Sequence, residues 1–519
     1  MTARTTGSSP RARLLDLWWS VGLFVLTVLS RLPFQARILY HWDSVNFAYA
    51  MREFNVIEEQ PQPPGYIVYV WLCRLVDLVF HDANRTMIAI AIVSSGLTVV
   101  ALYWLGKAMF GRWTGAVSAL LMWSSPLFWF YGEIALPHAL DALLVTAGVW
   151  WLYKVMRGDM RFLYPTIVVL GIAGGVRQQT LLFLAPLILY ALWRVGWKRF
   201  VMAGILGAIV CLAWFIPLLV STGGLTPYMV EVGEFSRRFQ TTTSLFAGAG
   251  WFGLQRNLTK LTLYTAYGWG LAALPMVVEG IRRVWSRKWP ADWRKVAFVA
   301  LWVAPTVVFY LIVHMGQQGL TFVFLPALML GGAYGLACLL KQRQQAAAVG
   351  AAIVLVVHTG LFCFAPEYPL GSERVRLLSR ATLVQSDRYY LDRFSALEQD
   401  FPVGATAILA ANWHHVEYYL PTYPVLHFGV EAKWELGEGS PTVASDLRVV
   451  SAAELIGRPL DEKKTVSVVV FDPVLEPFNT TPERVQVHPL SHGGTLGYIA
   501  LSGKERVQYG SGSYGVAGD

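Results

Sequence analysis

Charge is what this sequence has least of. Asp, Glu, Lys and Arg make up only 14% of the residues against 55% hydrophobic ones. The mean hydropathy is +0.45, a balance that excludes an ordinary soluble globule and indicates a polytopic membrane protein. Cysteine is scarce as well. Cys73, Cys211, Cys338 and Cys363 are scattered without paired spacing, so neither a disulfide framework nor a thiolate metal site is indicated. The net charge of +9 comes without a basic stripe or a reading motif, so no nucleic-acid partner is indicated either. There is no long internal repeat of the kind many transporters show, and no A-x-A-like cleavage site follows the polar start. Leu14 to Phe34 is therefore read as a retained first span.

What is present is a series of apolar runs. About 20 residues are needed to cross roughly 30 Å of hydrocarbon, and that criterion points to about eleven spans. They are Leu14 to Phe34, Met87 to Met109, Thr114 to Tyr131, Ala139 to Tyr153, Phe162 to Val176, Thr180 to Trp193, Val201 to Val220, Leu261 to Ile281, Val296 to His314, Thr321 to Leu340 and Ala346 to Phe364. Tyr66 to Phe80 is too short and carries Arg74 and Asp77, so it is read as an amphipathic helix at the membrane interface. Charge supports this choice. With a cytoplasmic N-terminus, the inner loops hold Lys107 and Arg112; Lys154, Arg157 and Arg161; Arg194, Lys198 and Arg199; and Arg282, Arg283, Arg287 and Lys288. The short outer loops Gly132 to His138 and Met315 to Leu320 hold neither Lys nor Arg. Counting Tyr66 to Phe80 as a span would invert the positive-inside pattern at every later loop.

The expected fold is thus an all-α polytopic membrane domain over residues 1–365, with a first outer loop at 35–86 and its interfacial helix at 66–80. A small α/β or α+β extracytoplasmic domain follows over 366–519. In this second part Ala405 to Ala410, Val466 to Phe471 and Leu496 to Leu501 read as strands, and Ser386 to Asp400 and His415 to Leu420 as helices. The Gly/Ser-rich tail from Gly510 reads as frayed.

The polar residues cluster at the predicted outer face. Asp43 lies among aromatics in the first outer loop. A carboxylate in low-dielectric surroundings has a raised pKa that suits a general base, and a cap on a helix starting near Val45 is the competing role. Trp42 suits stacking on a sugar ring or anchoring at the interface. Glu133, His138 and Asp141, the last two sharing a helix face at i and i+3, are candidates to meet at a divalent ion or a substrate polar group. Arg177, followed by Gln178 and Gln179, suits bidentate binding of a phosphate or snorkelling to headgroups. Arg31 has the same two readings, with snorkelling preferred. His314 and Gln317, in the turn His314-Met315-Gly316-Gln317-Gln318-Gly319, suit bonds to phosphate or hydroxyl oxygens or a purely structural hairpin.

Four motifs, in this order and on this topology, carry a resemblance. They are Trp42-Asp43-Ser44, Gln62-Pro63-Pro64-Gly65-Tyr66, Phe110-Gly111-Arg112 and Ser125-Pro126 ahead of Glu133. From Arg11 to Leu340 the chain resembles the C-type (GT-C) glycosyltransferases, within them the protein O-mannosyltransferase and aminoarabinose transferase branch and its bacterial relatives. The resemblance implies a polyprenyl-phosphate-linked sugar as donor and an active site at the outer face of a bacterial cytoplasmic membrane. It also implies an acidic catalytic base in the first outer loop, here Asp43. The O-mannosyltransferases commonly show Asp-Glu where this chain has Asp43-Ser44, which leaves the acceptor open among protein, lipid and glycan. It assigns no metal. The reaction expected is an inverting transfer to an acceptor hydroxyl deprotonated by Asp43, with Trp42, Glu133, His138, Asp141, Arg177, His314 and Gln317 binding substrate and the phosphate leaving toward Arg177 and His314. The alternative is a lipid or sugar transporter or flippase without chemistry.

Overall fold

The computed structural model describes residues 10–287, 292–341, 343–367, 369–370, 375–428, 430–433, 442–445, 448–451, 466–479, 482–501, 506–509 and 514–515. Nearly all of the expected frayed tail lies outside them. Among the described residues sixteen α-helices build the apolar part: α1 (Pro10–Arg31), α2 (Trp42–Arg52), α3 (Ile67–Phe80), α4 (Ala83–Phe110), α5 (Arg112–Ser124), α6 (Pro126–Tyr131), α7 (His138–Met156), α8 (Leu163–Val176), α9 (Gln178–Leu192), α10 (Trp197–Ser221), α11 (Leu225–Thr243), α12 (Gly250–Trp269), α13 (Ala273–Trp285), α14 (Trp293–Ile312), α15 (Leu325–Leu339) and α16 (Gln344–Phe364).

Among the described residues seven helical segments are long and apolar enough to cross a membrane, and α8, α9 and α15 are shorter apolar helices. The run Thr114 to Tyr131 divides into α5 and α6, because the residue before Pro126 is driven out of the helical region, with Ser125 at ψ 120°. The run Leu261 to Ile281 belongs to a 36-residue segment, Gly250–Trp285. It is broken at Gly270, whose φ of +54° favours glycine; a Cβ there would meet His358 Nε2 at 2.3 Å. Helix α11, amphipathic and polar on one face, has no counterpart in the span reading because it lacks a continuous apolar run.

The first loop is the part that positions chemistry. Helix α3 buries Ile67, Tyr69, Val70 and Cys73 and exposes Leu75, Leu78 and Val79. Its Arg74 turns back to α2, donating from Nε to the Met51 carbonyl at 3.0 Å and from Nη2 to the Ala50 carbonyl at 2.8 Å. A cation at the carbonyl end of a helix satisfies groups that have no intrahelical partner and complements the helix dipole. Phe47 of α2 packs edge-on to Tyr66 and Tyr69, so α2 and α3 form one unit.

After α16 comes α17 (Arg380–Asp400), and α18 (Trp413–Tyr419) follows within a five-stranded sheet. In sheet order the strands are Val425–His427, Thr406–Ala410, Val466–Val470, Thr495–Leu501 and Gln486–Pro489. The first three are parallel, with Ile408 opposite Val425 on one side and Val469 on the other. Thr495–Leu501 is antiparallel to both of its neighbours, with Ile499 opposite Val468 and Leu496 opposite His488. The two faces of the sheet bury separate cores, one of them including Ile38 from the first loop.

At the opposite end of the helical part, Asp16 of α1 is fully buried and accepts hydrogen bonds from Lys107 Nζ, Arg112 Nε at 2.8 Å and Tyr103 Oη at 2.6 Å. It ties α1 to α4 and α5. Asp16→Ala is expected to cost about 2–3 kcal/mol in unfolding of the purified protein, less than the ~3–5 kcal/mol of a fully buried pair, because Lys107 and Arg112 reach solvent.

Candidate active site

Asp43 stands in the first turn of α2. The helix begins at Trp42, and its N-cap is His41, whose Nδ1 accepts the Asp43 backbone N–H at 3.1 Å. The capping role read for Asp43 therefore belongs to His41, and the Asp43 carboxylate is left available. Its Oδ2 accepts from Gln317 Nε2 at 2.6 Å and lies 3.5 Å from His41 Nδ1. The side chain is 14% exposed. Burial pushes the carboxyl up from its ordinary range, against the opposing effects of His41 and of the Gln317 hydrogen bond.

Next to Asp43 stands a second polar group centred on Arg177, the residue between α8 and α9. Its Nη2 donates to Tyr310 Oη at 2.9 Å and to Gln179 Oε1 at 3.1 Å, and Nη1 lies 3.5 Å from Asp141 Oδ2. Asp141 also accepts from Thr180 Oγ1 at 2.8 Å. Arg177 is buried inside the protein, which removes the snorkelling alternative. Tyr66 bridges the two groups, within electrostatic reach of Asp43, Arg177, Asp141 and Tyr310. It is placed by Gly65, whose φ of +107° favours glycine, and by the Pro64 carbonyl, which accepts from Gln178 Nε2 at 3.3 Å and Tyr228 Oη at 3.1 Å.

His138, at the start of α7, faces the same space. Its ring lies 5.0 Å from that of Tyr131, within electrostatic reach of Arg177 and His41. Gly319 passes so close that a Cβ there would meet the imidazole at 2.0 Å, a close approach only glycine permits. Both ring nitrogens are buried without a hydrogen-bond partner.

Glu133 goes elsewhere. Fully buried, it has its electrostatic partner in Arg31, whose guanidinium is also buried, over the rings of Phe128 and Trp129. Arg31 is thus a packed residue of the interior and not a snorkelling one. Of the three residues considered for a divalent ion or a substrate polar group, His138 and Asp141 both stand near Arg177 while Glu133 is turned to Arg31, and among the described residues no group of three His, Cys, Asp or Glu stands where it could hold a metal. The physical reason is the turn before Pro137, which sends Glu133 to the α1 side while α7 points Asp141 at Arg177.

His314 follows α14 and shares a hydrogen bond between Nδ1 and Thr243 Oγ1 at 3.1 Å. Burial first, then the charges of Arg256 and Lys260, push its imidazole down to about 3, so it is neutral at physiological pH. Arg256 and Lys260 went unnoticed in the sequence; the available signal was two bases one helical turn apart near the end of a span. Trp42 meets the ring of His414 in α18 at 5.5 Å, edge-on, so its neighbour is the C-terminal region.

Replacing Gln317 with Leu removes a donor to the charged form of Asp43, and the carboxyl is expected to titrate at higher pH. Carbodiimide labelling of Asp43, followed by mass spectrometry across pH, reads this directly; an unchanged midpoint would show that the Gln317 contact does not act on the carboxylate.

Residues 61–220 match the dolichyl-phosphate-mannose-protein mannosyltransferase family model. No curated protein sequence is significantly similar to the chain. Among solved structures the chain is similar to ArnT from Cupriavidus metallidurans bound to undecaprenyl phosphate, with TM-score 0.56, 11% identity, and coverage of 95% of this chain and 98% of that one. The apo form of the same protein gives TM-score 0.52 and 12% identity, over 94% and 97% of the two chains. The sequence likeness is thus confined to residues 61–220, while the fold is similar to that of ArnT over nearly the whole chain, and among the described residues seven helical segments are long and apolar enough to cross a membrane.

Proposed function

We propose that the chain transfers a sugar from a polyprenyl-phosphate-linked donor to an acceptor hydroxyl, with Asp43 as general base. The observation that carries this reading is the Asp43 carboxylate: only partly exposed, raised in pKa, free of capping duty and held by Gln317 beside the group of Arg177, His138 and Tyr66. The acceptor O–H proton passes to Asp43 as the acceptor oxygen bonds to the anomeric carbon. The bond from that carbon to the phosphate oxygen breaks, and polyprenyl phosphate leaves from the opposite face, which inverts the sugar.

Charge develops on the leaving phosphate, so fixed positive groups there lower the barrier most. Arg177 supplies one, oriented by Asp141 and Tyr310; Asp141 thereby serves Arg177 and does not touch the substrate itself. His314, being neutral, offers a hydrogen bond, while Arg256 and Lys260 supply the field around it. The unpartnered nitrogens of His138 suit hydroxyl or phosphate oxygens of the donor. Glu133, paired with Arg31, takes a structural role. The donor class is supported by the family of residues 61–220 and by the undecaprenyl phosphate bound to the similar ArnT. The acceptor class stays with the expectation: protein, lipid or glycan. The distribution of Lys and Arg supports an N-terminus in the cytoplasm and the Asp43 face outside, with the C-terminal region, residues 366–519, as an extracytoplasmic domain over it.

The test is release of free undecaprenyl phosphate by purified protein from a panel of undecaprenyl-phosphate-linked hexoses and pentoses, mannose and aminoarabinose included, with membrane extract as acceptor. Asp43→Asn is expected to lower turnover about 10²- to 10⁴-fold, the contribution typical of general base catalysis. Equal turnover in both proteins would remove Asp43 as base, and binding of every donor without turnover would favour a carrier.

A further inference from the structure

The segment Gln35 to Tyr40 leads from α1 toward Asp43 without helix or strand of its own, bending at Arg37 and Ile38, and among the described residues no strand pairs with it. Backbone groups in such a segment need partners from elsewhere. Ala36 is held by the helical part: its N–H donates to the Glu133 carbonyl at 3.0 Å and its carbonyl accepts from Asn84 Nδ2 at 2.9 Å. The next three residues turn to the C-terminal region. Asp387 of α17 accepts the Arg37 N–H at 3.0 Å and the Ile38 N–H at 3.4 Å. Tyr419 Oη of α18 accepts the Leu39 N–H at 2.9 Å, and His415 Nε2 meets the Leu39 carbonyl at 2.9 Å. Because a carbonyl only accepts, Nε2 carries the proton.

These side chains are themselves fixed. His415 is buried and stacked on Tyr390 at 4.4 Å and 18°, and burial depresses its imidazole to about 3, so it stays neutral and keeps one tautomer. The start of α18 is held by Asp472, which accepts from the backbone N–H groups of Ala411 at 2.7 Å and Asn412 at 2.9 Å, from Asn412 Nδ2 at 2.8 Å and from Tyr389 Oη at 2.7 Å. Ile38 enters the core formed by Tyr390, Phe394, Leu397 and Val416. Two residues beyond Leu39, His41 caps the helix that bears Asp43, and Tyr418 packs against Tyr49 and Arg52 of the same helix.

We infer that the C-terminal region acts in catalysis by holding the backbone of residues 37–39, with His415, Tyr419 and Asp387 as positioning residues that fix where the Asp43 carboxylate stands. The inference rests on the reading of Asp43 as base. None of the three touches substrate. Their effect runs through four residues of backbone from Leu39 to Asp43, and a misplacement of about 1 Å at a reacting group can cost about 10² in rate.

The test uses the full chain with His415→Phe, which keeps a ring against Tyr390 but no donor, Tyr419→Phe, which loses only the hydroxyl, and His415→Gln, which restores an N–H near the position of Nε2. Amide hydrogen exchange over residues 37–46 is expected to rise about tenfold or more in the two Phe variants while that of Thr406–Ala410 and Val466–Val470 is unchanged. With the undecaprenyl-phosphate mannose or aminoarabinose that turns over, kcat is expected to fall about 10- to 100-fold at an unchanged donor KM, and His415→Gln to recover most of it. Unchanged exchange, or raised exchange with unchanged kcat, overturns the inference. Asp43→Asn separates the two readings: it is expected to lower turnover about 10²- to 10⁴-fold and leave exchange as in the wild type, whereas full turnover in Asp43→Asn, or silence of the wild type with every donor, removes the base and the inference with it.

Discussion

A carboxylate can be kept reactive away from water only if something other than water holds it. At Asp43, the base proposed above, the holding group is a neutral amide, Gln317, where an arginine or lysine would draw the carboxyl to low pKa. Much of the surrounding architecture serves this one placement. His41 takes over the capping of α2, Arg74 satisfies its far end, Phe47 locks it to α3, and the loop through Pro64 is fastened by Gln178 and Tyr228. The strong cation, Arg177, pairs with Asp141, which balances part of its charge, and Tyr66 stands within electrostatic reach of both Arg177 and Asp43.

The composition and the periodic runs made the helical architecture legible, because the length of an apolar helix is set by the hydrocarbon it crosses. Two breaks were not. Ser125-Pro126 and Gly270 act on a single residue's backbone, and a window averaging over twenty residues passes over both. Helix α11 escaped for the opposite reason: its apolar residues recur with helical period but never form a run. In the C-terminal region the strands at Thr406–Ala410, Val466–Val470 and Thr495–Leu501 and both helices were visible from local pattern. The pairing that places the first two parallel and the last antiparallel is a long-range matter that no local pattern carries.

The candidate site divides along the same line. Asp43 stood out in the sequence as an acid among aromatics next to a span, where a charge is costly. Its partner Gln317 lies 274 residues further on, and only the fold could join them. Glu133 shows the reverse case, in which sequence proximity to His138 and Asp141 promised a cluster that three-dimensional direction removes it from. His314 changed character, since burial first and then the charges of Arg256 and Lys260 disfavour the charged form of its ring.

The route of the chain near Leu39 also bears on how this protein can be taken apart or recombined. Residues 35–42 belong to the N-terminal half by sequence, yet Ile38 is part of the C-terminal core and the Leu39 amide and carbonyl both end on α18. A boundary drawn at Phe364 therefore separates polypeptide but not structure. The natural module for exchange between relatives is discontinuous: the C-terminal region together with the short stretch that threads through it.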